Sequence, residues 1–296
     1  MKISTLITYY NGGMYFQKLL ESLVENSHWL ISKGYDHEII TIIDSMESET
    51  FVIEKLFQEL QFPEKIKIII KKNEANCGVV ESRRRGLLEV SGDYIHIVDQ
   101  DDDISDNFYE LAVENSPKEN EVIFFEGYKI DENGEVIKKS LFKTLFKNKI
   151  EKKMNSKRVY FYGSNQFVTP GMLLYPHAAL KQLKEFYDFY CKTPRLFDGL
   201  DDSITNIQLL LKGYRYKFVP VHVFSYRLHI HNQRKLSLKN DKIFEIYKIL
   251  LREKIFNKNI RYINRLRVVT ALRERDYREV LKLLPSLLRY IYYIYL

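Results

Sequence analysis

Cysteine is nearly absent: Cys77 and Cys191 are the only two in 296 residues, and they are far apart in the chain. That spacing excludes a disulfide framework and a cysteine-rich zinc site, and it fits a reducing cytoplasm. Glycine and proline are sparse too, at 12 and 7, which excludes collagen-like and low-complexity architectures. No internal repeat is present. Long hydrophobic runs are also missing, since none reaches the roughly 18 residues required to span a bilayer. The opening MKISTLITYYNGG has one lysine and no small-residue cleavage site, so it reads as a buried strand and not as an export signal.

What remains is the composition of an ordinary globular protein, with 45% apolar and 29% charged residues. The length suits one large α/β domain, or a domain with an appendage. The formal charge of +7 is uneven: residues 234–296 hold 16 Lys and Arg against 6 Asp and Glu, a net of +10, so the preceding residues carry −3. The basic character therefore belongs to the C-terminal segment.

The first hundred residues alternate between β-branched runs and helical periodicity, the pattern of βαβ units and a parallel sheet. Strands are expected at Ile3–Thr8, His37–Ile43, Lys65–Lys71 and Asp93–Val98, and helices at Met14–Asn26, Ser48–Leu60 and Val79–Val90. Later expectations are a strand at Val122–Tyr128, a turn at Asp131–Gly134, a lysine-rich stretch Lys138–Arg158 without clear periodicity, ordered chain over Pro170–Leu183, a helix over Asp201–Lys212 closed by Gly213, and a strand at Tyr216–Phe224. From Asp241 onward the pattern is helical. In open α/β sheets ligands bind beyond the carboxyl ends of the strands. Thr8 to Asn11, Asp44 and Asp99 to Asp102 should face that crevice.

The segment DYIHIVDQDDDIS runs an apolar strand directly into Asp99, Asp101, Asp102 and Asp103. Four carboxylates within five residues repel one another, and hard divalent ions take carboxylate oxygens together with substrate phosphates. The plainer alternative is a set of turn and helix-cap aspartates.

Around this segment, ISTLITYYN, IIDSMES, NCGVVESRRRG, VDQDDD, LDDSITNIQLLLKGY and FSYRLHIH occur in an order and spacing that resemble glycosyltransferase family 2, inverting enzymes on the nucleotide-diphospho-sugar (GT-A) fold. The resemblance covers roughly residues 2–235. It implies an α/β fold with a mostly parallel central sheet flanked by helices and a helical C-terminal extension. Residues 1–235 would form the catalytic domain, 1–110 its nucleotide-binding half and 111–235 its acceptor half, with 236–296 as the basic helical extension. Ser45 stands where the second Asp of V-D-D-G-S is usual, Tyr9 where Pro or Ser often sits, and Asp201 where Glu is commoner; the first two bear on donor preference.

Carried over position by position, the resemblance implies that Thr8, Tyr10 and Asn11 line the nucleotide pocket and that Asp44 accepts from the base imide or ribose, which suits uridine. Asn76 and Gly78 would shape a turn beside the nucleotide. Arg83 would approach the nucleotide or brace Asp44, while Arg84 and Arg85 face solvent, since three adjacent arginines cannot share one helix face. Asp99 and Gln100 would contact the sugar nucleotide; Asp101, with Asp99 and His229, would hold Mn2+ or Mg2+. Asp202 is the expected base for the acceptor hydroxyl, and Asp201 reads as a helix cap.

The implied partners are a UDP-sugar donor and a glycan or lipid-linked acceptor in bacterial surface polysaccharide, lipooligosaccharide or glycoprotein synthesis, and a homo-oligomer is compatible. The basic, aromatic tail ending LLPSLLRYIYYIYL reads either as an amphipathic anchor at the inner face of the plasma membrane or as helices packed on the domain. A sugar-nucleotide pyrophosphorylase is disfavoured because YYNGG is not a Gly-rich phosphate loop. Nucleic-acid binding is disfavoured because no recognised motif accompanies the basic tail. A catalytically silent sugar-binding homologue is the remaining alternative, and retention of Asp99, Asp101 and Asp202 argues against it.

Overall fold

The computed structural model describes residues 1–44, 47–142, 150–156, 169–193 and 196–229, together with 249, 277–278, 281–282 and 284–285. Two compact units are formed, one from Met1–Leu145 and Phe167–Gln233, the other from Phe146–Gln166 and Arg234–Leu296. Residues 146–166, which the sequence pattern places in the acceptor half, thus group with the C-terminal segment.

In chain order the elements are β1 (Lys2–Tyr9), α1 (Gly13–Ser32), β2 (Asp36–Ile43), α2 (Glu47–Glu59), β3 (Lys67–Lys72), α3 (Val79–Glu89), β4 (Tyr94–Asp99), β5 (Asp103–Ile104), α4 (Phe108–Glu114), β6 (Glu121–Ile130), β7 (Val136–Lys138), α5 (Ile150–Met154), β8 (Leu173–Pro176), α6 (Leu180–Tyr190), α7 (Asp201–Leu211) and β9 (Arg215–Arg227). The strands form one sheet in the order β3-β2-β1-β4-β8-β6-β9-β5, with β7 added to β6. The β3-β2-β1-β4 half is parallel. Beyond it β8 runs antiparallel to both β4 and β6, so the sheet is mixed, although β6 and β9 are again parallel.

Strands β1 and β2 are buried almost throughout, as expected of parallel strands covered on both faces. Helix α1 buries Phe16, Leu19, Leu20, Leu23, Ser27 and Leu30, the spacing of one helical stripe. Helix α3 packs on β1 and β2 with Gly86 against the sheet. A Cβ at Gly86 would stand 2.1 Å from Leu6 Cδ1, so glycine sets how closely this helix approaches β1. The register places Thr8 opposite both Asp99 of β4 and Ile42 of β2, which brings the ends of β1, β2 and β4 out along one edge.

A polar seam crosses the core. His96 Nε2 donates to the Gly171 carbonyl (2.8 Å), and its Nδ1 accepts from the Tyr109 hydroxyl (2.9 Å), which also bonds Thr5. Thr5 Oγ1 and Ser27 Oγ each lie 2.8 Å from a ring nitrogen of His37. Burial pulls His37 down to about 3, helped by His96, and pulls His96 down to about 4. Both rings are therefore neutral in the folded chain and must be protonated when an acid solution unfolds it. Their stabilisation is complete above the ordinary histidine value near 6.5 and is lost as pH falls from there towards 4, at up to about 1.4 kcal/mol per pH unit for each ring. Urea midpoints should therefore drop steeply between pH 7 and pH 5, and His96→Gln should flatten that drop; an unchanged acid slope in the variant would contradict the assignment.

Candidate active site

The site is built at the carboxyl ends of β1, β2 and β4. After β1 the chain turns sharply at Tyr10–Gly13, where Asn11 takes a left-handed φ of 51°. With its amide oriented to donate, Asn11 reaches both Glu49 oxygens at 3.2 Å. Gln100 closes the turn from β4: its Oε1 accepts from Tyr10 N and its Nε2 donates to Tyr10 O, both at 2.6 Å. Gln100 is thus a clamp on the Tyr10 backbone. Thr8 is half-buried, and the Tyr10 ring is 50% exposed at the rim.

Asp44, only 4% exposed, organises the opposite wall. It accepts from Asn73 Nδ2 and from the backbone of Cys77 and Gly78, each at 2.8 Å, so three of its acceptor positions hold the turn that starts α3. Gly78, at φ 90°, leaves room for Asp198, whose Oδ1 accepts from Val80 N at 3.3 Å; a Cβ at Gly78 would stand 2.5 Å from Asp198 Oδ2. Asn76 is exposed on the same turn.

Arg83 projects from α3 and is 4% exposed. Its guanidinium bonds Asp99 at the end of β4 and, at 2.5 Å, Asp201 at the start of α7; it does not brace Asp44. Burial alone would weaken its charge, but Asp201 and Asp99 outweigh that and hold its pKa above the ordinary arginine value. Asp201 also accepts from the Tyr187 hydroxyl at 2.7 Å and makes no capping bond, so the expected helix cap is instead a buried ion-pair partner. The neighbouring arginines behave differently: Arg84 and Arg85 pair with Glu81 on the surface of α3, and Arg84 chiefly pulls that carboxyl to about 2.

The acidic turn after β4 is held from three sides. Asp102 is fully buried, and its Oδ2 accepts from Thr169 Oγ1 at 2.9 Å, while Thr169 also reaches Asp99 at 3.2 Å. Burial, then Asp101 and Asp99, push the Asp102 carboxyl well up; burial and Asp99 push Asp101 up, against the pull of His229. Arg227, fully buried at the end of β9, bonds Asp103, donates to the Asp101 carbonyl at 3.2 Å, and reaches the Asp131 and Glu132 carbonyls at 3.2 Å. His229 Nε2 lies 2.7 Å from Asp101 Oδ2. Asp202, half-buried in the first turn of α7, accepts from Ser203 N at 2.7 Å. The half-buried Tyr226 phenol is raised first by burial and then by Asp102, Asp99, Asp101 and Asp202.

Of the three expected ligands for a divalent ion, Asp101 and His229 stand together and could hold it, while the Asp99 oxygens are engaged by Arg83 and Thr169. Among the described residues no group of three or more His, Cys, Asp or Glu is placed to hold an ion. The donor set fits Mn2+ or Mg2+ on the terms such ions usually accept, one or two protein ligands completed by substrate phosphates and water. Among the described residues, the buried Asp102 Oδ1 and Asp103 Oδ1 have no hydrogen-bond partner.

The sequence profile of Glycosyl transferase family 2 matches residues 4–184, more than half of the chain. The chain belongs to that family. It is accordingly a glycosyltransferase, and it is 26% identical to an uncharacterized glycosyltransferase of Methanocaldococcus jannaschii over 245 residues, 82% of this chain and 76% of the relative. Over 112 residues, 38% of this chain and 29% of the relative, it is 30% identical to the uncharacterized glycosyltransferase YibD of Escherichia coli. In three dimensions it resembles residues 1–349 of S. aureus TarS, with a TM-score of 0.60 at 18% identity, covering 96% of this chain and 71% of that one. The mannosyltransferase PcManGT from Pyrobaculum calidifontis aligns with a TM-score of 0.56 at 12% identity, over 84% of this chain and 64% of that one. At these identities the likeness establishes the shared GT-A-like fold.

Of the residues anticipated from sequence, Arg83 bonds Asp99 and His229 bonds Asp101, and Asp202 follows Asp201, the second partner of Arg83, at the start of α7. Thr8, Tyr10 and Asn11 lie on the β1 side of the crevice, and Asp44, Asn76 and Gly78 on the α3 turn. Thr169, Asp198 and Tyr15 carry no motif; Arg227 and Tyr226 stood inside FSYRLHIH without an assigned role. Replacing Arg83 with Met would leave Asp201 charged and unpaired in the interior. The variant should lose about 3–5 kcal/mol of stability in urea unfolding, the usual cost of breaking a buried pair; a loss below about 1 kcal/mol would mean that the pair is not structural.

Proposed function

We propose that the enzyme moves a hexose or N-acetylhexosamine from a UDP-sugar to a glycan or lipid-linked acceptor with inversion, in the assembly of bacterial surface glycans. The observation that supports this reading is the Arg83 bridge, which ties Asp201, the residue before Asp202 at the start of α7, to Asp99 at the head of the acidic turn. Two structural neighbours were solved with sugar nucleotides, TarS with a UDP-sugar, UDP-GlcNAc, and PcManGT with GDP-Man and Mn2+. Uridine is favoured here because a carboxylate has about four acceptor positions, and Asp44 keeps one for an imide N–H.

In the reaction, Asp202 takes the proton of the acceptor hydroxyl as that oxygen attacks the anomeric carbon from the face opposite the diphosphate. The new C–O bond forms as the old one breaks, and nucleoside diphosphate departs with the bonding pair. Asp101 and His229 would hold Mn2+ or Mg2+, which when bound neutralises charge building on the β-phosphate. Arg83 keeps Asp99 oriented towards the donor while it anchors α7.

The C-terminal segment supports peripheral membrane contact. Its described residues Tyr277, Leu281 and Leu284 are exposed and spaced i, i+4 and i+7, with Arg278 and Lys282 also exposed, a spacing that suits an interfacial helix. Among the described residues no helix is long and apolar enough to cross a membrane.

Three outcomes test this. UDP should stabilise the chain against heat more than GDP or CMP, and more with manganese than with EDTA; equal shifts for all three nucleotides in EDTA would defeat the donor assignment. Asp202→Asn should lower turnover about 10²–10⁴-fold while UDP-sugar affinity stays within about twofold, as befits a group acting on the acceptor. Equal losses in binding and turnover would move Asp202 to the donor site. Truncation before Pro285 should weaken sedimentation with anionic liposomes while nucleotide binding persists. Each basic residue at such a surface contributes about 1 kcal/mol, so the association should also fade with salt.

A further inference from the structure

Tyr15 lies in the first turn of α1, outside every motif of the sequence, and is half-buried. Two side chains stack on its ring. The Arg227 guanidinium sits 4.8 Å from the ring centroid, and the His229 imidazole lies 5.5 Å away at an interplanar angle of 30°. Residues 227 and 229 are two apart, so an extended chain presents both on the same side. One aromatic ring thus receives the whole α1-facing side of the end of β9.

Arg227 is anchored independently of the ring. Arg227 has bonds to Asp103 and to the Asp101, Asp131 and Glu132 carbonyls, so it stays in place without the ring. His229 lies beyond the sheet. The last ladder bond runs from Leu228 N to the Ile130 carbonyl at 2.8 Å, and strand β9 itself ends at Arg227. Its ring faces Asp101 Oδ2 at 2.7 Å on one side and the Tyr15 ring on the other. A ligand imidazole must be oriented by a neighbour if its nitrogen is to point at the ion, and that neighbour typically affects metal affinity strongly.

We infer that Tyr15 is a positioning residue, which holds the His229 imidazole in register with Asp101 so that the pair can receive a diphosphate-bound divalent cation. The inference rests on the metal reading given above. Stacking is the operative contact: the Tyr15 hydroxyl makes no hydrogen bond among the described residues, and an aromatic face attracts both a guanidinium and an imidazole. Because Tyr15 follows the Tyr10–Gly13 turn, the loop that lines the nucleotide pocket also orients a metal ligand.

The test titrates manganese against UDP-dependent thermal stabilisation of the full chain. Tyr15→Leu should raise the manganese concentration at half effect by about 10–100-fold, the range for loss of a residue that orients a ligand. UDP binding in EDTA should stay unchanged, and turnover should recover at high manganese. Tyr15→Phe should remain within about twofold of the parent. In a His229→Ala background, Tyr15→Leu should have no further effect on manganese. A manganese-dependent parent whose Tyr15→Leu variant titrates like it would overturn the role of Tyr15 alone, as would a Phe variant as impaired as Leu. A parent indifferent to manganese would remove the metal reading and this inference with it. Should Tyr15→Leu fail to fold, paramagnetic broadening in the unsubstituted chain decides: manganese with UDP should broaden the ring signals of Tyr15 and His229 together, and a sharp Tyr15 ring would refute the placement.

Discussion

The guanidinium of Arg83 is buried between two carboxylates that belong to different parts of the fold. Asp99 ends the fourth parallel strand, and Asp201 opens helix α7 more than a hundred residues later. Buried charges are tolerated only when paired, and a pair that loses one partner is strongly destabilising. The electrostatic demand of this one cation therefore ties the start of α7 to the end of β4. Tyr187 adds a hydroxyl to Asp201, so that carboxylate is satisfied from both α3 and α6.

The second arginine solves a different problem. Four carboxylates fall within five residues at the end of β4, and Arg227 stabilises their turn through the Asp103 carboxylate and the Asp101 carbonyl while it also holds the Asp131 and Glu132 carbonyls of a second turn. This leaves the Asp101 carboxylate free of arginine and directed towards His229. The acidic turn thus has a cationic brace at its back and acceptor oxygens at its front, an arrangement suited to a cation and phosphate arriving together.

How much of this could be read from sequence depended on the range of the contact. Strands β1 to β4 and helices α1 to α3 lie within a few residues of expectation, with α1 running six residues further, because β-branched runs and helical stripes are local patterns. The two-residue β5, the three-residue β7 and the four-residue β8 show no period and went unread. Asp201 illustrates a deeper limit: an aspartate at the start of a helix looks like a cap, and only the tertiary position of Arg83 makes it an ion-pair partner. Asp44 and Gln100 were legible as site residues, yet not as the groups that fasten the backbone beneath the site. Tyr15 was invisible, since its partners lie more than two hundred positions away. Residues 143–149 and 157–158 of the lysine-rich stretch and most of the basic tail fall outside the described residues, and the five-residue α5 within that stretch was not anticipated.

Gly86 lies three residues, less than one helical turn, beyond Arg83 and touches Leu6 where β1 crosses the core. The depth at which α3 rests on the sheet is therefore set by an apolar contact, and that depth is also the reach of the guanidinium towards its two carboxylates. A side chain one methyl larger at residue 86 would lift the helix or displace Leu6, and a charge pair has little slack in which to follow. The geometry of the ionic site is metered by hydrocarbon packing inside the sheet, so a drift in core volume is transmitted to the crevice as a change in charge alignment.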